Sequence, residues 1–128
     1  MSQCLETDRQ ADELDSAVLD RVLSGHDAVF RGRLARQMIA DFTRMNAAMT
    51  SRDRGVWRAA AHELKGLAGT IGAEGLATLA LIHEIALDAG SLSEARAQRD
   101  EICERIARLC TRLAQVAEGA EGEHRDTG

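Results

Sequence analysis

Apolar residues recur every three or four positions along most of this chain, which is the spacing that places side chains on one face of a helix. The pattern predicts a short helix around Val18 and then four longer helices, at about 27–49, 54–71, 74–89 and 92–118. The connections between them are short, and short connections make consecutive helices antiparallel neighbours. The predicted fold is all-α, an antiparallel four-helix bundle with a short additional N-terminal helix.

Local signals support these helix boundaries. Gly72 and Gly90 each follow a periodic segment, at a position where glycine commonly ends a helix. Asp53 lies directly before another segment and is predicted to be its N-cap. Ser91 and Glu94 have the spacing of a capping box, in which two side chains satisfy backbone N–H groups at the start of a helix.

Helical spacing also predicts which residues form the core. Phe42, Met45 and Trp57 are expected inside the bundle, and Phe30 and Ile82 fall on the apolar stripes of their helices.

The last helix carries a regular apolar stripe over residues 92–116, which only Arg99 interrupts. Such a stripe forms either the seam of a bundle or the seam of a coiled-coil dimer. The preceding helices carry apolar stripes of their own, which favours packing within one chain. A monomer is therefore expected.

Composition agrees with this fold. The 128 residues suffice for one domain, and with 45% hydrophobic and 29% charged residues the chain has the balance of a folded globular protein. It has no proline and few β-branched runs, and both features favour helices over strands. The bundle is expected to span 12–118, between a flexible lead-in at 1–11 and a disordered tail at 119–128.

Charge and hydropathy argue against several classes of function. The formal net charge of −5 disfavours nucleic-acid binding, which usually needs a basic stripe. No apolar run approaches the roughly 18 residues of a membrane span, and residues 1–9 lack the apolar core of a signal peptide.

The chain has three cysteines, Cys4, Cys103 and Cys110, and an odd number of cysteines argues against a disulfide framework. A cytoplasmic protein without membrane contact is expected.

The stretch at 61–73 combines features that are unusual in one helix. One side of it carries His62, Lys65, Gly66 and Gly69. A glycine inside a helix costs about 1 kcal/mol relative to alanine. We interpret this cost as the consequence of a surface that has to be bare, so that another molecule can approach His62.

Histidine and lysine at this spacing suit phosphoryl chemistry. A neutral imidazole is a nucleophile near pH 7, and Lys65 would place positive charge beside a phosphoryl group on His62. Arg58, one turn before His62, would add to that charge. The sequence has no P-loop and no zinc-binding histidine pair, and it has no nucleophile elbow. Without a nucleotide site, the phosphoryl group has to come from another protein.

The stretch around His62 resembles the histidine-containing phosphotransfer (HPt) domain family. The resemblance covers about 14–116 and rests on His62-x-Leu64-Lys65-Gly66, Gly72-Ala73, Leu76 and Leu79. Members of this family are four-helix bundles that relay a phosphoryl group between aspartates of response-regulator receiver domains. Gly69 and the ending Thr70-Ile71-Gly72 look most like the modules at the C-terminus of hybrid sensor kinases.

The resemblance implies a role for each residue of the site. His62 would be the phosphorylated nucleophile, Lys65 would balance the phosphate charge, and Gly66 would leave space for it. The family often has a glutamine or glutamate on the next helix that binds the imidazole, and the matching position here is Glu84. An acceptor on one ring nitrogen would fix the tautomer and leave the other nitrogen to attack.

The resemblance also implies partners. Receiver domains would dock on Gly66, Gly69 and Arg58, and the rest of a hybrid sensor kinase would be a further partner. Mg²⁺ would arrive with the receiver, and this chain is expected to bind no cofactor or metal of its own.

Two positions depart from the family pattern. Leu67 stands where the family usually has a small residue, and on the helical wheel it faces the core. His83 stands where the family usually has an apolar residue. We interpret His83 as a buried packing histidine and only secondarily as a candidate for chemistry.

Two other interpretations remain open from the sequence. The same face could bind a receiver without phosphoryl transfer, or the chain could be a structural bundle that dimerises through its last helix. In the favoured interpretation the chain is a phosphoryl carrier without an ATP site, so whether it counts as an enzyme stays uncertain.

Overall fold

The structure, a computed structural model, describes the backbone over residues 16–127 and the side chains over residues 19–119. Within that range the chain forms five helices, α1 (Ser16–Leu23), α2 (Ala28–Ala48), α3 (Arg54–Thr70), α4 (Glu74–Asp88) and α5 (Leu92–Thr127). No strand occurs among residues 16–127, so the predicted all-helical fold is confirmed. The predicted lead-in at 1–11 lies outside the described residues.

The ends of the helices follow from the residues found there. The carboxylate of Asp53 accepts hydrogen bonds from the N–H groups of Gly55 at 2.8 Å and Val56 at 3.3 Å, which confirms the predicted N-cap of α3. Gly72 and Gly90 have φ angles of 87° and 74°, in the left-handed region that glycine adopts most readily. Both therefore end their helices as predicted.

The core lies among the four longer helices and also takes in Leu19 and Leu23 of α1. Phe42, Met45 and Trp57 are buried, as predicted. The apolar stripe of α5 enters the same core through Ile102, Ile106, Leu109 and Leu113. Burying one large aliphatic or aromatic side chain contributes about 1.5–3 kcal/mol, so this shared core is the main force that holds the helices together.

Two apolar positions were predicted wrongly. Phe30 and Ile82 lie on the surface, with exposed fractions of 45% and 46%. The ring of Phe30 lies against His26, with ring centroids 4.2 Å apart. In α4, His83 and Leu87 face the core in place of Ile82. Leucine, alanine and isoleucine alternate along α4, so its sequence defines the buried face poorly.

The last helix extends beyond its predicted end near Glu118. The sequence predicted a disordered tail at 119–128, whereas the structure continues α5 to Thr127. The stretch beyond Glu118 contains alanine, glutamate and arginine, which are good helix formers, and the prediction gave too much weight to Gly119 and Gly122. The extent of the folded unit, 12–118, stays a prediction.

Pairwise packing places α3 between α2 and α4. Helix α5 packs against α2 and α4, and α3 packs against α4 more extensively than against α2. On the side of α2, Arg44 forms a bidentate ion pair with Glu63 of α3, and this pair holds the pKa of the Glu63 carboxyl below its usual range. On the other side, α3 and α4 together form the surface that carries His62.

The described cysteines remain reduced. Cys103 and Cys110 are free thiols, as predicted, and burial raises the pKa of both. A raised pKa keeps them in the less reactive thiol form.

Candidate functional site

Helix α3 has one buried side and one exposed side. Ala61, Leu64 and Ala68 are fully buried in the core. The side chain of His62 is 65% exposed, and the half-buried Lys65 lies one turn further along. The division of this helix into an apolar face and an open face around His62 is therefore as predicted.

The two glycines of this face have different surroundings. A Cβ atom added to Gly66 would meet no atom within 4 Å, so Gly66 borders open space. A Cβ atom added to Gly69 would lie 4.0 Å from the Cβ of Ala77 in α4, which is ordinary van der Waals contact. Gly66 thus leaves room beside His62, whereas Gly69 lies next to the neighbouring helix.

The carboxylate of Glu84 reaches His62 from α4. Its two oxygens lie 3.2 Å and 3.3 Å from Nδ1 of His62, across a separation of 22 residues in sequence. With a proton on Nδ1 donated to this carboxylate, the neutral ring keeps a lone pair on Nε2. Lys65 joins the same group, because its Nζ lies 3.3 Å from Oε1 of Glu84. The structure therefore brings together the three residues that the sequence proposed for chemistry.

Glu84 is nearly buried, with only 8% of its side chain exposed. A carboxylate withdrawn from water in this way is costly unless cations or hydrogen-bond donors face it. Lys65 and His62 face it directly, and Nη2 of Arg58 lies 3.8 Å from Oε2. Groups of α3 thus compensate the charge of this carboxylate, which lies next to Nδ1 of His62.

Arg58 lies at the surface, as its predicted docking role requires, but it is not a free cation. Its Nε and Nη2 donate to the two oxygens of Asp88 at 2.5 Å and 3.0 Å. This bidentate hydrogen bonding holds the pKa of the Asp88 carboxyl below its usual range. Sequence reasoning missed Asp88, although its position one turn after Glu84 places it on the same face of α4.

An apolar patch next to the His62 surface was also missed. Leu81, Ile82 and Ile85 of α4 are exposed, and Ile85 is the most exposed of the three at 60%. We refer to these three residues as the Leu81 patch. Leu81 and Ile85 are neighbours of Glu84 and Asp88 around the helix, so the patch continues the surface beside His62.

No group of three or more histidine, cysteine, aspartate or glutamate side chains among the described residues could hold a metal ion. None of the helices described between Ser16 and Thr127 is long and apolar enough to cross a membrane.

Comparison with known proteins identifies the family. The family model described as Hpt domain matches residues 29–119, which is most of the chain. The chain belongs to the Hpt domain family. Searches among curated proteins and among solved structures found no significant match.

Membership assigns this Hpt domain to phosphotransfer in two-component signalling. Hpt domains interact with the receiver domains of response regulators, so the predicted class of partner is confirmed. The match begins at Val29 in the first turn of α2 and includes all of α3 and α4, which together build the His62 surface.

His83, the second histidine considered for chemistry in this Hpt domain, is fully buried. Nε1–H of Trp57 donates to Nε2 of His83 at 2.7 Å, and Nδ1 of His83 lies 3.0 Å from Oε1 of Gln98. Burial lowers the pKa of His83, which keeps the ring neutral with its proton on Nδ1. His83 is the packing histidine that the sequence predicted, and both of its nitrogens are occupied.

The other departure from the family pattern also follows its prediction. Leu67 is half-buried and packs against the core, so its bulk lies on the side of α3 away from the open surface.

Proposed function

We propose that this Hpt domain relays a phosphoryl group between receiver-domain aspartates through phosphorylated His62. The observation that carries the proposal is the contact between the buried Glu84 carboxylate and Nδ1 of the exposed His62. A proton on Nδ1 donated to Glu84 would leave Nε2 as the attacking nitrogen, beside Lys65 and the open space at Gly66. A merely exposed histidine would not need this support.

The transfer would proceed in line. A receiver docks with an aspartyl phosphate, and the lone pair on Nε2 of His62 forms a bond to phosphorus as the bond from phosphorus to the aspartyl oxygen breaks. The leaving group is the receiver's carboxylate. The phosphorylated ring keeps its proton on Nδ1 and gains positive charge, which the carboxylate of Glu84 would stabilise. The same steps in reverse would pass the phosphoryl group to a second receiver.

Charge on the transferred group would be balanced from both partners. Lys65 would move from Glu84 toward the phosphoryl oxygens, since the two positions are close together on α3 and its side chain is long and flexible. The Mg²⁺ ion that the receiver is expected to bring would add positive charge on the other side. This chain would then act as a phosphoryl carrier and not as a kinase.

The docking surface would combine the bare face of α3 with the Leu81 patch. Gly66 would let the receiver come close to His62, and Gly69 adds a second position without a side chain one turn further along α3. Arg58 and Asp88 would form a polar edge of this surface. The Leu81 patch supplies apolar area of the kind that is buried at the centre of protein interfaces.

A transfer assay with a panel of receivers tests the proposal. Each receiver is phosphorylated with a small-molecule donor and mixed with this chain. We expect at least one receiver to label His62, with a phosphate that is labile in acid and stable in base. Tight receiver binding without any labelling across the panel would instead support the interaction module that lacks transfer.

Replacing Glu84 is expected to slow transfer without stopping it. A hydrogen bond to a charged group contributes about 1.5–3 kcal/mol, and the exposure of His62 puts the loss at the low end of that range. Glu84→Ala should therefore transfer about tenfold more slowly. Glu84→Gln, which keeps an oxygen acceptor, should lose less. Rapid-quench measurement of the transfer rate checks both.

Glu63→Ala is the matched control for this prediction. Glu63 follows His62 directly but pairs with Arg44 on the opposite flank of α3. Its removal should leave the transfer rate unchanged. Equal rates for Glu84→Ala and the unmodified chain would remove Glu84 from the mechanism.

We also infer an antiparallel arrangement of α2 to α5, with α1 as an addition to the bundle. The contacts α2–α3, α3–α4, α4–α5 and α2–α5 and the short connections support it. A monomer is proposed as well, because the apolar stripe of α5 is buried within this chain. A cytoplasmic location stays a prediction from the sequence. Light scattering on the purified chain measures its oligomeric state, and a dimer mass would contradict the proposal.

A further inference from the structure

A cavity of about 270 Å³ lies at the end of the helices where α3 and α5 begin. Trp57, the hydroxyl-bearing Ser51 and four arginines contribute to its lining, and the arginines are Arg52, Arg54, Arg96 and Arg99. We refer to it as the arginine cavity. Arg54 begins the helix that carries His62, and the helical rise of about 1.5 Å per residue puts the two residues roughly 12 Å apart along the axis. The cavity is therefore separate from the His62 site.

Three of the four arginines differ from Arg58 in their ion pairing. Within residues 19–119 the structure shows no ion pair for Arg52, Arg54 or Arg96. The contrast with Arg58 is clear, because Arg58 is held by both oxygens of Asp88. Arginine remains charged at all physiological pH values. The exposed side chains of Arg52, Arg54 and Arg96 therefore bring positive charge to the rim of the cavity.

Other polar groups beside the cavity have contacts of their own. The guanidinium of Arg99 lies 4.9 Å from the centroid of the Trp57 ring and reaches the carbonyl oxygen of Met49 at 3.5 Å. In the adjacent loop, Oδ1 of Asp53 accepts hydrogen bonds from the first turn of α3. Oγ of Ser51 accepts a hydrogen bond from the N–H of Asp53, which leaves its own proton free to donate.

Water and salt screen the repulsion between these exposed arginines, and an anion that several of them contact would add direct charge-assisted hydrogen bonds. The chain as a whole is acidic, with a net charge of −5, so general basicity does not account for this cluster. The arrangement is complementary to a small, multiply charged anion.

We propose that the arginine cavity binds a small oxyanion of the diphosphate class, either free or as the terminal group of a phosphorylated metabolite. Arg52, Arg54 and Arg96 would donate to its oxygens, since the planar guanidinium matches phosphate oxygens in pairs. Ligand pockets for drug-sized molecules usually measure about 300–1,000 Å³. The smaller volume of this cavity suits a diphosphate group better than a whole nucleotide.

Titration with inorganic pyrophosphate at constant ionic strength tests the proposal. Trp57 is the one tryptophan of the chain and lines the cavity, so its fluorescence reports binding directly. We expect a saturable change that Arg96→Gln weakens by about tenfold or more, as the loss of a charge-assisted hydrogen bond would. Arg33→Gln is the control. It removes an exposed arginine near the start of α2, the end away from the cavity, and this variant should bind pyrophosphate as the unmodified chain does.

Parallel titrations with ADP and with an acidic peptide distinguish a free anion, a phosphorylated metabolite and a protein partner as the ligand. ADP binding as tightly as pyrophosphate would identify the terminal group of a metabolite, and pyrophosphate binding more tightly would identify the free anion; both support the proposal. A linear, non-saturating signal, or equal affinity in Arg96→Gln, would overturn it. Tighter binding of an acidic peptide than of pyrophosphate would also overturn it and would assign the cavity to a protein partner.

Discussion

His62→Gln is expected to abolish uptake of the phosphoryl group from every phosphorylated receiver. Glutamine has a similar size but no nitrogen that is nucleophilic at neutral pH, so the bond to phosphorus cannot form. Removal of a nucleophile commonly lowers activity by at least about a thousandfold, which here means to background. Labelling with a radioactive phosphoryl donor, followed on a gel, measures the loss.

The fold should survive this change. His62 is mostly exposed, and surface substitutions usually alter the free energy of unfolding by less than about 0.5 kcal/mol. His26→Gln is a matched control, because His26 is an exposed histidine that contacts Phe30 away from Glu84. It should label as the unmodified chain does. Undiminished labelling of the His62 variant would end the assignment of this residue as the phosphoryl acceptor.

Gly66→Gln is expected to have opposite effects on stability and function. A side chain at this position meets no atom within 4 Å, so it costs nothing in packing. Glutamine is a better helix former than glycine, and the free energy of unfolding should rise by about 0.5–1 kcal/mol. The same side chain would occupy the space beside His62 that a receiver needs. We expect receiver binding and transfer to fall at least about tenfold, a loss of about 1.4 kcal/mol in binding.

Gly119→Gln provides the control for this result. Gly119 lies in α5, and a Cβ added there also meets no atom within 4 Å. The substitution should stabilise its helix in the same way and leave transfer unchanged. Chemical denaturation gives the stability of both variants, and a transfer assay with one cognate receiver gives their function. Normal transfer by Gly66→Gln would show that the open space at Gly66 is not where the receiver approaches.

The sequence predicted the two faces of α3 well because helical periodicity is strong there. Glycines, histidine and lysine fall on one side, and alanine and leucine fall on the other. The position of Glu84 followed from family resemblance, and the structure places its carboxylate against Nδ1 of His62. Periodicity alone would not have paired these two residues, since they lie on different helices.

The parts that the sequence missed depend on how α4 is rotated. Alanine, leucine and isoleucine are distributed almost evenly around this helix, so apolar periodicity does not define one buried face. Ile82 was therefore placed in the core, and the exposed Leu81 and Ile85 were overlooked. The pair of Arg58 with Asp88 joins residues 30 positions apart. Such a pair becomes visible only when the packing of α3 against α4 is known.

The buried contacts of His83 have a consequence for the geometry at its neighbour Glu84. Trp57 and Gln98 hold the two nitrogens of His83 from opposite helices, which fixes α4 in rotation about its own axis. Successive residues of a helix point about 100° apart. The angle at which the core holds His83 therefore also sets the angle at which Glu84 leaves the helix toward His62. The hydrogen bonds of the neutral, buried His83 thus help to set the direction in which the charged Glu84 side chain points.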